Sequence, residues 1–307
     1  MPPDFTFLGN RLDPKANIRL NRAILFTYGH TTNPRNTESH WYAVWDRVLA
    51  DITADSARLL PVPQFVLWYI KSNPTDRDDS QDAGGDEEAG NTTIDSITTV
   101  ASTIPQKSAR ELVPDFVIVR TMIRRSATSP KLKYAGVPLL AEVKRLPRRV
   151  KDLNDPKFLR ELRQRVLFAE FDVMDQAAYL FQNYPRQKTV ILIACSGTWW
   201  RCRIVHKDDV ADPSTIMPPI PDYDEEVESD AEEDSPDDKE DKGDTSDDEL
   251  DIIDAPESLA RGESEETIPE HQFSTILQLG TRASDQRFGL IHRRLKAVLD
   301  ERTGEMG

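Results

Sequence analysis

Apolar residues Trp41, Val44, Trp45, Val48, Leu49 and Ile52 recur at helical spacing, so a helix is expected from Glu38 to Ile52. Asn36 or Thr37 can cap its start. Pro61 and Pro63 then interrupt the chain, and Phe65 to Ile70 reads as a strand. Phe116-Val117-Ile118-Val119 and the run from Val137 to Lys144 read as antiparallel strands. They are joined by a basic loop carrying Arg120, Arg124, Arg125, Lys131 and Lys133. Pro156 opens a long helix reaching Asn183, with Leu162, Val166, Ala169, Val173, Ala177 and Leu180 as one apolar stripe. Thr189 to Cys195 is the most apolar strand of the chain. Ser196-Gly197 turns it into an alternating partner strand, Thr198 to Val205. Phe273 to Leu279 reads as one more strand, and Ser284 can cap a last helix bearing Phe288, Ile291, Leu295 and Val298. Residues 1–36 are polar and read as irregular.

Charge divides this pattern unevenly. The 307 residues sum to −15, yet residues 222–270 hold 24 acids and 3 bases, and residues 76–88 hold 7 acids and 1 base. The other 245 residues carry +12, so a basic body carries two acidic segments. A basic body favours nucleic acid, which the overall balance would disfavour. Residues 74–92 are expected to form a mobile acidic loop. Residues 207–270 have too few large apolar residues to offset the entropy of ordering, so a disordered acidic insertion is expected there. No apolar run approaches membrane-spanning length, and the opening MPPDFTFLGNRLDPK lacks the pattern of a secretory signal. An intracellular, soluble protein is expected, in nucleus or cytoplasm, with Cys195 and Cys202 as reduced core or edge residues.

Candidate chemistry lies on the central strands. Residues i and i+2 of a strand share a face, so Glu142 and Lys144 project together at the end of a buried run. Asp115 starts the neighbouring strand and can meet them. Two carboxylates make a hard oxygen site suited to Mg²⁺ or Mn²⁺, and an adjacent ammonium can orient a water or stabilise charge on phosphate oxygens.

Pro114-Asp115 followed by Glu142-Val143-Lys144 resembles the signature of the PD-(D/E)xK nuclease superfamily. The strings TESHWYAVW, VPDFVI, LLAEVKR, MDQAAYLFQNYP and ILQLGT are similar to a group of basidiomycete fungal proteins associated with that fold. The resemblance implies an α/β, restriction-endonuclease-like mixed sheet flanked by helices. Its core would span residues 37–206, with residues 271–307 adding a C-terminal strand and helix after the insertion. It further implies Mg²⁺-dependent hydrolysis of DNA phosphodiesters, with Asp115 and Glu142 on metal and Lys144 on the water. Glu38 would complete the metal set, or else serve as a first-turn acid favoured by the helix dipole. Gln176 would join the catalytic group, or else be a polar helix residue satisfied locally.

Residues 144–165 hold 9 bases and 3 acids. Arg145, Arg148, Arg149, Lys151, Arg160 and Arg163 are therefore expected to line a phosphate-contacting groove, the alternative being an ordinary charged face. The acidic insertion would compete for that groove or engage a basic protein partner. The rival functional reading is a nuclease-like fold without turnover that binds nucleic acid or a basic partner.

Overall fold

The computed structural model describes residues 14–69, 110–125, 130–149, 153–212 and 267–300. The acidic loop expected at 74–92 and residues 213–266 of the expected insertion lie outside the described residues. In chain order the elements are α1 (Pro14–Tyr28), α2 (Tyr42–Thr53), β1 (Leu59–Pro63), β2 (Leu67–Tyr69), β3 (Arg110–Leu112), β4 (Phe116–Arg125), β5 (Pro130–Lys144), α3 (Pro156–Asn183), β6 (Thr189–Ser196), β7 (Trp199–His206), β8 (Leu277–Gln278) and α4 (Arg282–Asp300). A 3₁₀ turn, Glu38–Trp41, leads directly into α2.

Six strands form one mixed sheet in the order β1-β4-β5-β6-β7-β8. Only β5 and β6 run parallel, and α3 makes the crossover that a parallel pair requires. Strands β2 and β3 pair separately as a short antiparallel ribbon. Helices cover both faces of the large sheet. On one face Ile118, Leu139, Ala141, Val143, Ile191 and Ile193 pack with α1, α2 and α4. On the other Val117, Leu140, Val190, Leu192 and Ala194 pack under the α3 stripe of Ala169, Val173 and Ala177. The chain is thus a mixed α/β fold with a helix-flanked six-stranded sheet.

A bulge sets which residues of β5 face α3. Ile118 pairs with Leu139, but Arg120 pairs with Gly136, so Val137 and Pro138 together oppose Val119. Proline cannot donate to a ladder, and a bulge is where a central strand tolerates one. Beyond it Leu140, Glu142 and Lys144 point toward α3.

Several expectations are corrected. The N-terminal segment read as irregular contains α1, whose faint amphipathicity leaves Ile18, Leu25 and Phe26 exposed and Leu20 buried. Pro61 and Pro63 do not interrupt the fold but lie in β1. Arg58 and Gln64 bond toward the centre of the sheet, so Pro61 and Pro63, of opposite parity, turn their missing donors away from β4 at the sheet edge. The expected basic loop is instead the two arms of a long hairpin, and Arg120 is buried within it, donating to the Val298 carbonyl. The expected strand at 273–279 shrinks to Leu277–Gln278. Both ends of the segment expected as a disordered insertion, 207–212 and 267–270, are ordered. Residues 207–209 form a 3₁₀ turn, Ile268 is buried, and the Pro269 carbonyl accepts the Ile204 N–H at 2.7 Å. Thr37 caps its helical turn with no side-chain bond and instead meets the His40 ring at 2.7 Å. Thr281, not Ser284, caps α4, accepting the Ser284 N–H at 3.3 Å, while the Ser284 hydroxyl takes the Trp200 indole N–H at 3.0 Å.

The tight turn from β6 to β7 anchors the far end of β5. Gly197 has φ +60°, donates its N–H to the Lys144 carbonyl at 3.0 Å, and accepts the Trp45 indole N–H at 2.9 Å. A Cβ there would stand 2.7 Å from Leu146 Cδ1 and 3.3 Å from Trp41. Gly197→Ala should therefore cost about 2–3 kcal/mol, the sum of a left-handed backbone and an overpacked contact. The shift in urea midpoint measures it, and a shift worth under about 0.5 kcal/mol would contradict this account.

Candidate functional site

Strand β5 outruns its neighbour. Strand β4 begins at Phe116, paired with Ala141, so the Val143 N–H has no β4 carbonyl to meet. Asp115 fills that gap: its Oδ2 accepts the Val143 N–H at 2.7 Å. Its Oδ1 accepts the Tyr42 hydroxyl, and its backbone carbonyl accepts the Gln64 N–H at 2.8 Å. The carboxylate is thus fixed from α2, β5 and the exit of β1.

Glu142 and Lys144 emerge from the same face of β5. Lys144 Nζ donates to Glu142 Oε1 at 2.9 Å and lies 2.7 Å from Asp172 Oδ2 on α3. Gln176, one helical turn beyond Asp172, donates Nε2 to Glu142 Oε2 at 2.8 Å. Asp115 and Glu142 keep only 7 % and 6 % of their surface exposed.

Burial and mutual repulsion set their protonation. The Asp115 carboxyl is pushed up to about 6 by burial, reinforced by the charge of Glu38, against the pull of its Tyr42 and Val143 hydrogen bonds. Glu142 is pushed up to about 7 by burial and by Asp115, which outweigh Lys144 and Gln176. Burial works against the Lys144 ammonium, but Glu142 and Asp172 overcome it and hold the group charged. Glu38 is also raised, by burial first and by Glu142, while the Arg145 backbone N–H and the charge of Lys144 favour its ionised form.

Two residues that sequence reasoning missed belong to this cluster. Asp172 could have been found from its i, i+4 spacing to Gln176, and Tyr42 from the same spacing to Glu38. The charge of Glu38 acts on Asp115, and Glu142 and Lys144 act on Glu38. No three His, Cys, Asp or Glu side chains among the described residues are grouped to hold a metal, so the expected trio of Glu38, Asp115 and Glu142 is not a preformed cluster. The donor pair Asp115 and Glu142 nevertheless suits Mg²⁺, which binds through one or two carboxylates and keeps waters. Each of their four oxygens accepts one hydrogen bond and keeps a second lone pair.

Two of the six residues expected to line the basic groove, Arg148 and Arg149, are engaged within the fold. Arg149 donates Nε to the Tyr28 carbonyl at 2.6 Å and NH2 to the Asn33 carbonyl. Arg148 pairs with Asp155 and lies 3.7 Å from Glu161. Arg145 is half-buried beside Glu38. Arg160 and Arg163 project to solvent from α3, and Lys151 lies outside the described residues. Cys195 and Cys202 are buried thiols with no disulfide between them. No family model, curated protein or solved structure matches the chain.

Proposed function

We propose that the chain is a metal-dependent nuclease of the PD-(D/E)xK type, with a restriction-endonuclease-like sheet, hydrolysing phosphodiester bonds in DNA. One observation carries the reading. Two buried carboxylates repel one another at the end of β5, beside an ammonium fixed by Glu142 and Asp172. Taking two such charges out of water costs stability unless a cation compensates them. The order of elements supports it too, because a Pro-Asp strand, a Glu-x-Lys strand, a crossover helix and a parallel buried strand follow one another.

Mg²⁺, or Mn²⁺ in its place, would be held by Asp115 and Glu142 and would polarise the scissile phosphate and acidify a bound water. Tyr42 and the Val143 N–H orient the Asp115 carboxylate. Gln176 and Lys144 orient that of Glu142. The Lys144 ammonium, kept charged, faces the oxygens where negative charge builds. Arg160 and Arg163 contact phosphates outside the site, without reading sequence.

The test is cleavage of plasmid and single-stranded DNA by purified protein with Mg²⁺, Mn²⁺ or chelator. Cleavage with either metal and none with chelator is the expected result, and no cleavage in any arm rejects hydrolysis. One feature favours a second reading, a fold of this kind that binds nucleic acid or a basic partner without turnover. All four carboxylate oxygens already have internal donors. DNA binding with no cleavage would support it.

A further inference from the structure

The outer side of α3 carries two adjacent rows of side chains four residues apart. One row runs Arg160, Gln164, Phe168, Asp172 and Gln176, and the other Arg163, Leu167, Phe171 and Asp175. Four residues overshoot one helical turn, so each row winds around the helix as it advances. The first starts in solvent at Arg160 and ends in the candidate site, where Asp172 lies 2.7 Å from Lys144 Nζ and Gln176 donates to Glu142 at 2.8 Å. Phe168 stands one turn before Asp172 and about 12 Å along the axis before Gln176.

The stripe that packs on the sheet uses other positions, among them Leu162, Val166, Ala169 and Val173, all buried. Leu167, Phe168 and Phe171 keep 44 %, 45 % and 60 % of their surface exposed, so packing of the helix does not account for them. Exposed apolar residues scattered singly are ordinary, but three adjoining ones on the flank of a polar site mark a contact surface.

We propose that this face of α3 holds an unpaired strand of DNA, with bases stacked on Phe168 and Phe171 and phosphates on Arg160 and Arg163, and leads it to Lys144. Every base has a face on which an aromatic ring stacks, whatever the sequence. In a duplex those faces are covered by neighbouring pairs, which leaves only edges and phosphates to a helix. Phenyl rings on the outside of α3 therefore reach base faces only where the strand is unpaired. Arg160 and Arg163, both exposed, supply charge for its phosphates. Asp172 is offset by Lys144, so the first row stays open to a phosphate, whereas the second ends on the acid Asp175, which repels one. The strand is thereby directed along the first row. A second copy of the chain fits less well, since a stable protein interface takes about 20–30 residues a side and three apolar side chains between arginines and aspartates fall short of that.

The path to Lys144 rests on the nuclease reading, whereas the stacking is measured without cleavage. Fluorescence anisotropy of the full chain in chelator, at physiological salt, would use three labelled probes: a single-stranded oligodeoxynucleotide, its duplex, and an abasic strand of equal length. The single strand should bind tightest. Phe168→Ala combined with Phe171→Ala alters exposed side chains, and should weaken the single strand about tenfold or more but the duplex less than about twofold. Phe168→Leu combined with Phe171→Leu keeps the apolar bulk without the ring face and should weaken the single strand in the same way. The abasic strand, with every phosphate and no base, should bind the parent and both variants alike. Equal parent affinity for the base-bearing and abasic strands, or undiminished single-strand binding by the alanine variant, overturns the assignment. So does an alanine variant that changes oligomeric state in gel filtration with its DNA affinity intact, which would give the face to a second copy of the chain. Ring-dependent binding of the single strand with no cleavage on adding Mg²⁺ supports the stacking face and removes hydrolysis alone.

Discussion

Replacing Glu142 with glutamine should abolish Mg²⁺-dependent cleavage and, in the metal-free protein, raise the melting temperature at pH 8. The two effects have one origin. Losing a carboxylate that holds the ion forfeits several kcal/mol of transition-state stabilisation, about a thousandfold in rate. The stability gain follows from protonation. Glu142 titrates at about 7 in the folded chain, above its ordinary value of 4.5. Between those values the folded chain holds a proton that the unfolded chain has released, so rising pH removes stability. Glutamine stays neutral and avoids that loss. The advantage of Glu142→Gln over the parent should be small at pH 5 and grow through pH 7. Mg²⁺ should stabilise the parent more than the variant. Parallel melting curves for the two proteins from pH 5 to 8 would contradict the electrostatic account, and retained cleavage would contradict the catalytic one.

Lys144→Met should stop turnover and cost about 3 kcal/mol at pH 8. Removing one partner of a buried ion pair leaves the other charge uncompensated, typically at about 3–5 kcal/mol. The lower end applies because the Lys144 side chain keeps 21 % of its surface exposed. Of the two carboxylates left behind, Asp172 is solvent-exposed, and the buried one is Glu142, still repelled by Asp115. At pH 5 Glu142 takes up a proton and needs no counter-charge, so most of the cost should vanish. Urea denaturation at the two pH values measures the difference. A pH-independent loss would instead mean that Lys144 matters for the packing of its methylene stem.

The parts of this fold legible in the sequence are those with strong periodicity on a buried face. Helix α3 declares itself through its apolar stripe, and β6 through an unbroken apolar run covered on both sides. Helix α1 does not, because it buries so little of its apolar surface. Strand β1 was masked by its prolines, whose harm depends on whether a neighbour needs the missing donor, and at a sheet edge none does. The short strands β2 and β3 pair with each other far apart in sequence, which no local pattern reports.

The candidate site divides in the same way. The placement of Glu142 and Lys144 follows from strand parity, and that of Asp115 from the point where β4 falls short of β5. Tyr42 and Asp172 are marked in the sequence only by their spacing to Glu38 and Gln176, and tertiary contact is what joins them to Asp115 and Lys144. The arginines after β5 show the opposite error. Counting bases measures charge but not its commitments, and Arg149 spends its donors on backbone carbonyls near α1.

The bulge at Val137 and Pro138 gives β5 a reading frame of two. Any insertion or deletion of one residue between Pro138 and Glu142 would exchange the faces of everything downstream, turning Glu142 and Lys144 into the layer packed with α2 and placing Val143 before Gln176. The outer end of the hairpin has no such phase to keep, since the bulge separates its register from that of the site. Length variation among descendants of this chain should therefore accumulate between Arg125 and Pro130. The five residues from Pro138 to Glu142 should keep their number even where their identities drift.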